Sequence, residues 1–97
     1  MATYVVLGNF TEKGISNVKG SPDRTNVVKE MAKKCGVTLK ETFWTLGAYD
    51  IVAIFEAPDE ASMTALGLSI GAMGNVRTQT LRAFTADEMK GILGKMV

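Results

Sequence analysis

Two segments of the chain are apolar at nearly every position, and they define the centre of the predicted fold. Residues 4–10 and residues 51–57 are rich in β-branched and aromatic side chains, a composition typical of strands. Successive side chains of a strand point to opposite sides of its sheet, so each segment carries apolar groups on both sides. The pattern therefore predicts two strands that need cover on both faces.

Two further segments predict strands that are polar on part of their surface. Residues 38–46 alternate between two faces: Leu39, Glu41, Phe43 and Thr45 on one, and Lys40, Thr42 and Trp44 on the other. Residues 47–49 are short enough to connect this strand to segment 51–57 as a hairpin. Residues 76–84 predict the fourth strand, in which parity places Arg77 and Arg82 on opposite faces.

The first two connections carry helix signals. Thr11 is the predicted N-cap of a short helix. Ser21 is the predicted N-cap of a second helix, with Pro22 at its first position and Gly36 just beyond its end. The apolar positions of this second helix fall at helical spacing: Val27, Val28, Met31 and Cys35.

Two more helices are predicted in the second half of the chain. Acidic groups favour a helix N-terminus, so Asp59 and Glu60 indicate the start of the third helix. Its main apolar stripe contains Met63, Leu66, Ile70 and Met73. Thr85 and Glu88 have the spacing of a capping box, which predicts a last helix reaching Met96.

The order of these elements is β-α-α-β-β-α-β-α. If the first two helices form one crossover, this is the βαββαβ pattern of an α+β, ferredoxin-like fold. We therefore predict a single domain over residues 1–97, with a four-stranded antiparallel sheet and its helices on one face. The first and third strands would be the central pair. Because both are apolar on both sides, we expect a second copy to cover the open face in a sheet-to-sheet homodimer.

Composition narrows the classes of partner. The net charge is +1 and no Lys/Arg cluster stands out, so we expect no nucleic-acid partner. No apolar run reaches the ~20 residues that span a membrane, and the first residues predict a strand rather than a signal peptide. The chain has no histidine, so we expect no metal and no cofactor. Cys35 is the single cysteine, which fits a cytoplasmic protein.

The hairpin and the strands around it carry a family resemblance. Residues 45–52 contain a glycine, a tyrosine and an aspartate, Gly47, Tyr49 and Asp50, before the apolar strand. Together with residues 21–22, 55–58 and 74–84, this stretch resembles the GYD domain family of small prokaryotic proteins. The resemblance covers nearly the whole chain and implies a dimeric α/β barrel.

A more limited likeness extends to the effector-binding domain of leucine-responsive transcription regulators. It rests on the same hairpin element and on Val76 followed by Thr78 or Thr80 in the last strand. The likeness implies a dimer that binds small effectors near the contacts between subunits. The chain has no helix-turn-helix region like that of those regulators, which argues against DNA binding. The working histidines of the small enzymes related to this fold have no counterparts here.

Six residues are candidates for binding a small polar or anionic ligand: Trp44, Tyr49, Asp50, Arg77, Thr78 and Thr80. Each has a structural alternative. Asp50 would otherwise accept backbone N–H bonds in the hairpin, the arginines would form ion pairs, and Trp44 would anchor an interface. Gly47 is expected to be a structural turn residue, and no catalytic residue is assigned.

The function favoured by these patterns is a homo-oligomeric module that binds a small molecule or regulates a partner. A structural assembly subunit is the first alternative. The second is a cofactor-independent enzyme in which Asp50 or Glu56 acts as base and Tyr49 or Arg77 stabilises negative charge. We lean against catalysis because the chain has neither a histidine nor adjacent paired carboxylates in these segments.

Overall fold

The computed structural model describes all of residues 1–97. Its four strands are β1 (Ala2–Phe10), β2 (Thr38–Trp44), β3 (Ile51–Ala57) and β4 (Val76–Ala83). Its α-helices are α1 (Glu12–Ser16), α2 (Ser21–Lys34), α3 (Glu60–Ala72) and α4 (Ala86–Leu93), and a 3₁₀ turn at Val18–Gly20 lies between α1 and α2.

The strands form one antiparallel sheet in the order β2-β3-β1-β4. This arrangement confirms the predicted α+β, ferredoxin-like fold with β1 and β3 at its centre. In the register of the central pair, Val5 lies opposite Ile54 and Val6 lies opposite Ala53. Alternate residues of both strands therefore face the helices, and the residues between them face the other side of the sheet.

The core lies between the sheet and helices α2 and α3. Phe55 of β3 and Leu66 of α3 are its largest completely buried side chains. Three of the four predicted stripe residues of α3 are buried, namely Met63, Leu66 and Ile70, whereas Met73 follows the end of the helix and is half-buried. In α2, however, the completely buried residue is Ala32, whereas Val27 remains 47% exposed. The small side chain of Ala32 lets the helix backbone approach the sheet, so the contact stripe is rotated away from Val27.

The opposite side of the sheet is apolar and open. Val5, Leu7, Val52 and Ile54 form its centre, and none of them is buried in the chain. Two larger apolar groups flank them: Phe43 of β2 is 50% exposed and Leu81 of β4 is 42% exposed. The doubly apolar central strands are therefore confirmed.

Strand β2 departs from the predicted alternation because of a β-bulge. Its register against β3 shifts between Leu39 and Glu41, which leaves Lys40 as the extra residue. Leu39 consequently shares the helix-facing side with Thr42 and Trp44, and Glu41 and Phe43 lie on the open side. The strand also ends at Trp44 rather than Leu46.

Two of the three predicted N-caps are present, the predicted cap at Ser21 is not, and Asp59 forms a cap that was not predicted. Thr11 accepts a hydrogen bond from the N–H of Gly14, Asp59 accepts one from Ser62, and Thr85 and Glu88 form the complete capping box. Ser21 is not an N-cap. It lies inside α2, where its buried hydroxyl accepts a hydrogen bond from Trp44, and Gly20 precedes the helix without a side-chain cap. The last helix ends at Leu93 rather than Met96, and none of its residues is buried.

Helix α1 is bound tightly to the turn between α3 and β4. The Thr11 hydroxyl donates to the carbonyl of Gly74 at 2.6 Å, and the Thr11 N–H donates to the carbonyl of Asn75 at 3.0 Å. Lys13 donates to the carbonyl of Met73 at 2.8 Å. A Cβ at Gly14 would lie 1.9 Å from the Asn75 carbonyl oxygen, so only glycine allows this approach.

We expect Gly14→Ala to lower the free energy of unfolding by about 2–3 kcal/mol, because the added methyl group meets backbone rather than a movable side chain. Gly91→Ala is the matched control. No atom lies within 4 Å of a Cβ at Gly91, so this substitution in helix α4 should be neutral or stabilise by about 0.5–1 kcal/mol. Urea unfolding followed by circular dichroism measures both, and equal midpoints for the two variants would contradict the steric argument.

Candidate functional site

The loop of residues 45–50 positions the candidate ligand residues of the hairpin. The N–H of Thr45 donates to the carbonyl of Asp50 at 2.8 Å, and the Asn9 side-chain amide donates to the carbonyl of Ala48 at 2.9 Å. Gly47 has a φ of 104°, a backbone conformation that residues with a Cβ rarely adopt. This positive φ is the backbone conformation that the expected turn role of Gly47 requires.

Asp50 continues the pairing of β1 with β3 beyond the end of β3. Its backbone N–H donates to the carbonyl of Gly8 at 2.9 Å. Its carboxylate Oδ2 then accepts the N–H of Phe10, also at 2.9 Å. The carboxylate thus accepts the hydrogen bond that the backbone carbonyl of a further strand residue would accept. The expected backbone-bonding role is present, although its partner is strand β1 rather than the hairpin itself.

Tyr49 reaches from the loop to strand β4. Its hydroxyl donates to Gln79 Oε1 at 3.1 Å. Gln79 and Arg77 are two positions apart in β4 and face the open side of the sheet, opposite Leu7 and Asn9. Tyr49, Gln79 and Arg77 therefore lie along one end of the open face. Gln79 was not among the predicted site residues, although its parity with Arg77 placed it on the same face.

Arg77 forms no ion pair with Asp50. The chain contains four ion pairs, and they join Lys33 to Glu30, Lys40 to Glu56, Arg82 to Glu88, and Lys90 to Asp87. Arg77 is exposed and its guanidinium makes no hydrogen bond within the chain. The Asp50 carboxylate instead accepts a hydrogen bond from the backbone of β1, so Arg77 and Asp50 do not form one charged site.

The other candidates lie on the helix side of the sheet. Trp44 donates from Nε1 to Ser21 Oγ at 2.9 Å, so the indole is joined to α2 even though it is partly exposed. Thr78 and Thr80 are exposed on the helix-facing side of β4. They border an open groove of about 480 Å³ between α3 and β4. The six candidates therefore do not converge on one pocket.

Arg82 is occupied by structural contacts. Its guanidinium donates to Glu88 Oε2 at 3.2 Å and to the carbonyls of Thr3 and Ala83. It also lies 4.5 Å from the ring centroid of Phe84. The backbone N–H of Thr85, and after it the Arg82 side chain, hold the pKa of Glu88 below its ordinary value. The ion-pair alternative considered for the arginines is confirmed for this one.

Two further observations concern metal binding and membrane crossing. No group of three or more histidine, cysteine, aspartate or glutamate side chains lies close enough together to hold a metal ion. The longest helix, α2, has 14 residues. No helix combines the length and the apolar character that crossing a membrane requires.

The comparison with known families covers nearly the whole of the described fold. The sequence model of the GYD domain matches residues 4–93, which include every helix and almost all of every strand. The chain belongs to the GYD family. A curated relative of this GYD protein occurs in Thermus thermophilus, where it is described as a glutamine synthetase and cystathionine beta-lyase binding protein. The two sequences are 31% identical over 90 residues, which cover 92% of this chain and 95% of the relative.

For this GYD protein, we expect Asp50→Ala to lower the free energy of unfolding by about 1–3 kcal/mol, because the Phe10 N–H loses its acceptor. Asp50→Asn keeps an acceptor oxygen in the same place and should retain most of the stability. Chemical denaturation and the amide exchange rate of Phe10 measure the two effects. If asparagine costs as much as alanine, the charge of Asp50 matters beyond this hydrogen bond.

We also expect acid to loosen helix α4 before it loosens the sheet. Because the pKa of Glu88 is lowered in the folded chain, its stabilising contribution is complete above the ordinary value of 4.5. The contribution is lost as the pH falls through the lowered folded value. Backbone carbon shifts of α4, followed from about pH 6 to about pH 2, should report this loss. Glu88→Gln removes the titration, so an identical acid response in that variant would refute the assignment.

Proposed function

We propose that this GYD protein is a homodimeric, non-catalytic binding module that attaches to enzymes of metabolism. The observation that carries the proposal is the Thermus thermophilus relative, a glutamine synthetase and cystathionine beta-lyase binding protein. The correspondence spans 92% of this chain and 95% of that protein, so it concerns the whole domain rather than a fragment. The role is proposed for the cytoplasm, where a single cysteine stays reduced.

The open face of the sheet supports the homodimer. Val5, Leu7, Val52 and Ile54 form an apolar centre to which Phe43 and Leu81 add exposed area. A contiguous apolar surface of this kind is unusual on a monomer. A second copy related by a two-fold axis presents the same surface and buries both. Tyr49, Gln79 and Arg77 would then lie beside the dimer contact, which is where we propose that a small polar or anionic ligand influences assembly.

Helix α4 supports a second surface, for the partner enzyme. No residue of α4 is buried, yet the helix has a complete N-terminal capping box and is held to β4 by the Arg82–Glu88 ion pair. Its exposed apolar side chains are Met89, Ile92 and Leu93. Exposed apolar side chains also lie on either side of the helix, at Phe84 before it and at Met96 and Val97 after it. Methionine side chains adapt readily to a partner's shape. A preformed apolar helix of this type fits a groove on another protein.

Two aspartate substitutions separate these surfaces. Ile54→Asp places a charge at the centre of the open face and should convert the dimer to a monomer in light scattering. Ile92→Asp should leave the dimer intact and weaken binding to the partner by about tenfold or more, as loss of a buried interface anchor does. Val27→Asp, on the exposed side of α2, is the matched control and should change neither property.

The binding assay uses the glutamine synthetase and the cystathionine beta-lyase of the organism that makes this protein, each immobilised for interferometry. If neither enzyme binds the wild-type protein, the partner proposal is wrong. A large assembly without enzyme binding would favour the structural-subunit alternative. If Ile54→Asp keeps the dimeric mass, the sheet-to-sheet contact is wrong.

A further inference from the structure

A cavity of about 90 Å³ lies between the sheet and helices α2 and α3. It lies at the end of the sheet where β1 ends and β3 begins. Its walls are mainly apolar, and they include Val6, Val28, Leu39, Ile51, Ala53 and Ile70. Several of these side chains face the core and are still only half-buried, because the cavity opens to solvent. Space that could have been filled by core side chains is therefore left empty on the side of the sheet away from the proposed dimer contact.

The cavity exists because small residues line its floor and roof. Gly8 contributes no side chain from β1, and a Cβ built there would come no closer than 3.7 Å to any atom. Ala53 of β3, which lies opposite Val6, is a second small residue of the floor, and Ser21 of α2 forms part of the roof. The backbone at Gly8 does not have positive φ, so its conformation does not require glycine. The missing side chain therefore makes room rather than a turn.

Polar groups at the cavity have unused hydrogen-bonding capacity. Ser21 is only 5% exposed, and its oxygen accepts a hydrogen bond from Trp44, but its own O–H has no acceptor in the chain. The hydroxyl of the half-buried Thr42 lines the same space and has no hydrogen-bond partner within the chain. A buried hydroxyl without an acceptor is unfavourable, so an acceptor group inside the cavity would be stabilised.

The charge at the cavity is positive. Arg24 is the single charged residue of the lining, and no aspartate or glutamate accompanies it. One of its terminal nitrogens donates to the carbonyl of Asn17 at 2.8 Å and the other to the carbonyl of Gly14 at 3.5 Å, but the guanidinium takes part in no ion pair. A guanidinium has five N–H donors in a planar arrangement, so it retains donors for a carboxylate.

We propose that this cavity binds a short aliphatic carboxylate, with its apolar chain inside and its carboxylate directed to Arg24 and the Ser21 hydroxyl. The space corresponds to roughly three water molecules, or a branched chain of about four carbon atoms, and is smaller than the ~150 Å³ apolar cavity that takes up benzene. This small-molecule site goes beyond the proposed enzyme-binding role. Carboxylate binding is measured on this protein alone, without a partner enzyme, so either proposal can fail without the other.

The first test is a methyl-detected NMR titration with isobutyrate, isobutyramide and acetate as probes. We expect isobutyrate to shift the methyl signals of Val6, Val28 and Ile70 with a dissociation constant of about 1 mM, a typical strength for six non-hydrogen atoms. Isobutyramide has the same shape without the charge and should bind more weakly. Acetate lacks the branched chain and should bind least. No methyl shift with isobutyrate at about 50 mM would overturn the proposal.

Variants then separate the apolar and the charged parts of the site. Gly8→Ala places a methyl group in the cavity and should weaken isobutyrate binding by about fivefold or more. Gly67→Ala is the matched control, because a Cβ there meets nothing within 4 Å and the residue lies outside this cavity. Arg24→Gln should weaken isobutyrate by a similar factor and leave isobutyramide unchanged. Equal binding by the Gly8→Ala variant, or equal losses for both probes with Arg24→Gln, would contradict the assignment.

Discussion

The pairing of β1 with β3 is the contact on which the other features of this protein depend. It brings together two strands that are apolar on both sides, and the helices of the chain can cover only one of those sides. The covered side forms the core around Phe55 and Leu66. The uncovered side leaves an apolar surface on the outside of the sheet. Burial of apolar area is the main favourable contribution to folding and association, so the same strand pair drives both the fold and the proposed dimer.

Much of this fold could be predicted because its strongest signals are local and agree with one another. The apolar runs in β1 and β3, the stripe of α3 and the capping box at Thr85 each indicate one structure, and together they fix the order of the elements. The structure departs from the prediction where contacts between elements determine the local conformation. The bulge at Lys40 changes the side of the sheet that Leu39 faces, and the Ser21 hydroxyl accepts a hydrogen bond from Trp44 instead of capping its helix. Neither event leaves a mark in the pattern of polar and apolar residues.

The candidate site was predictable to a smaller extent. Residue type placed Tyr49 in the hairpin loop, and strand alternation put Arg77 on the face of β4 opposite Thr78 and Thr80. The sequence pattern could not show which of these two faces the helices cover, and so which residues share the open side with Tyr49. The cavity was not predicted at all. It results from Gly8, Ala53 and Ser21 meeting across three elements, and an absent side chain gives no signal of its own in a sequence.

The carboxylate of Asp50 has a consequence for how this family is compared. Its oxygen accepts the backbone N–H of Phe10 and so extends the hydrogen bonding between β1 and β3. The residue therefore stabilises the fold whatever the domain binds. Gly47 likewise serves the shape of the loop. Two members can therefore share this signature and differ entirely in ligand or partner. A match to the signature therefore shows a common fold. Differences in biological role have to be sought in residues that the fold does not constrain, such as those lining the cavity and those on the exposed face of the last helix.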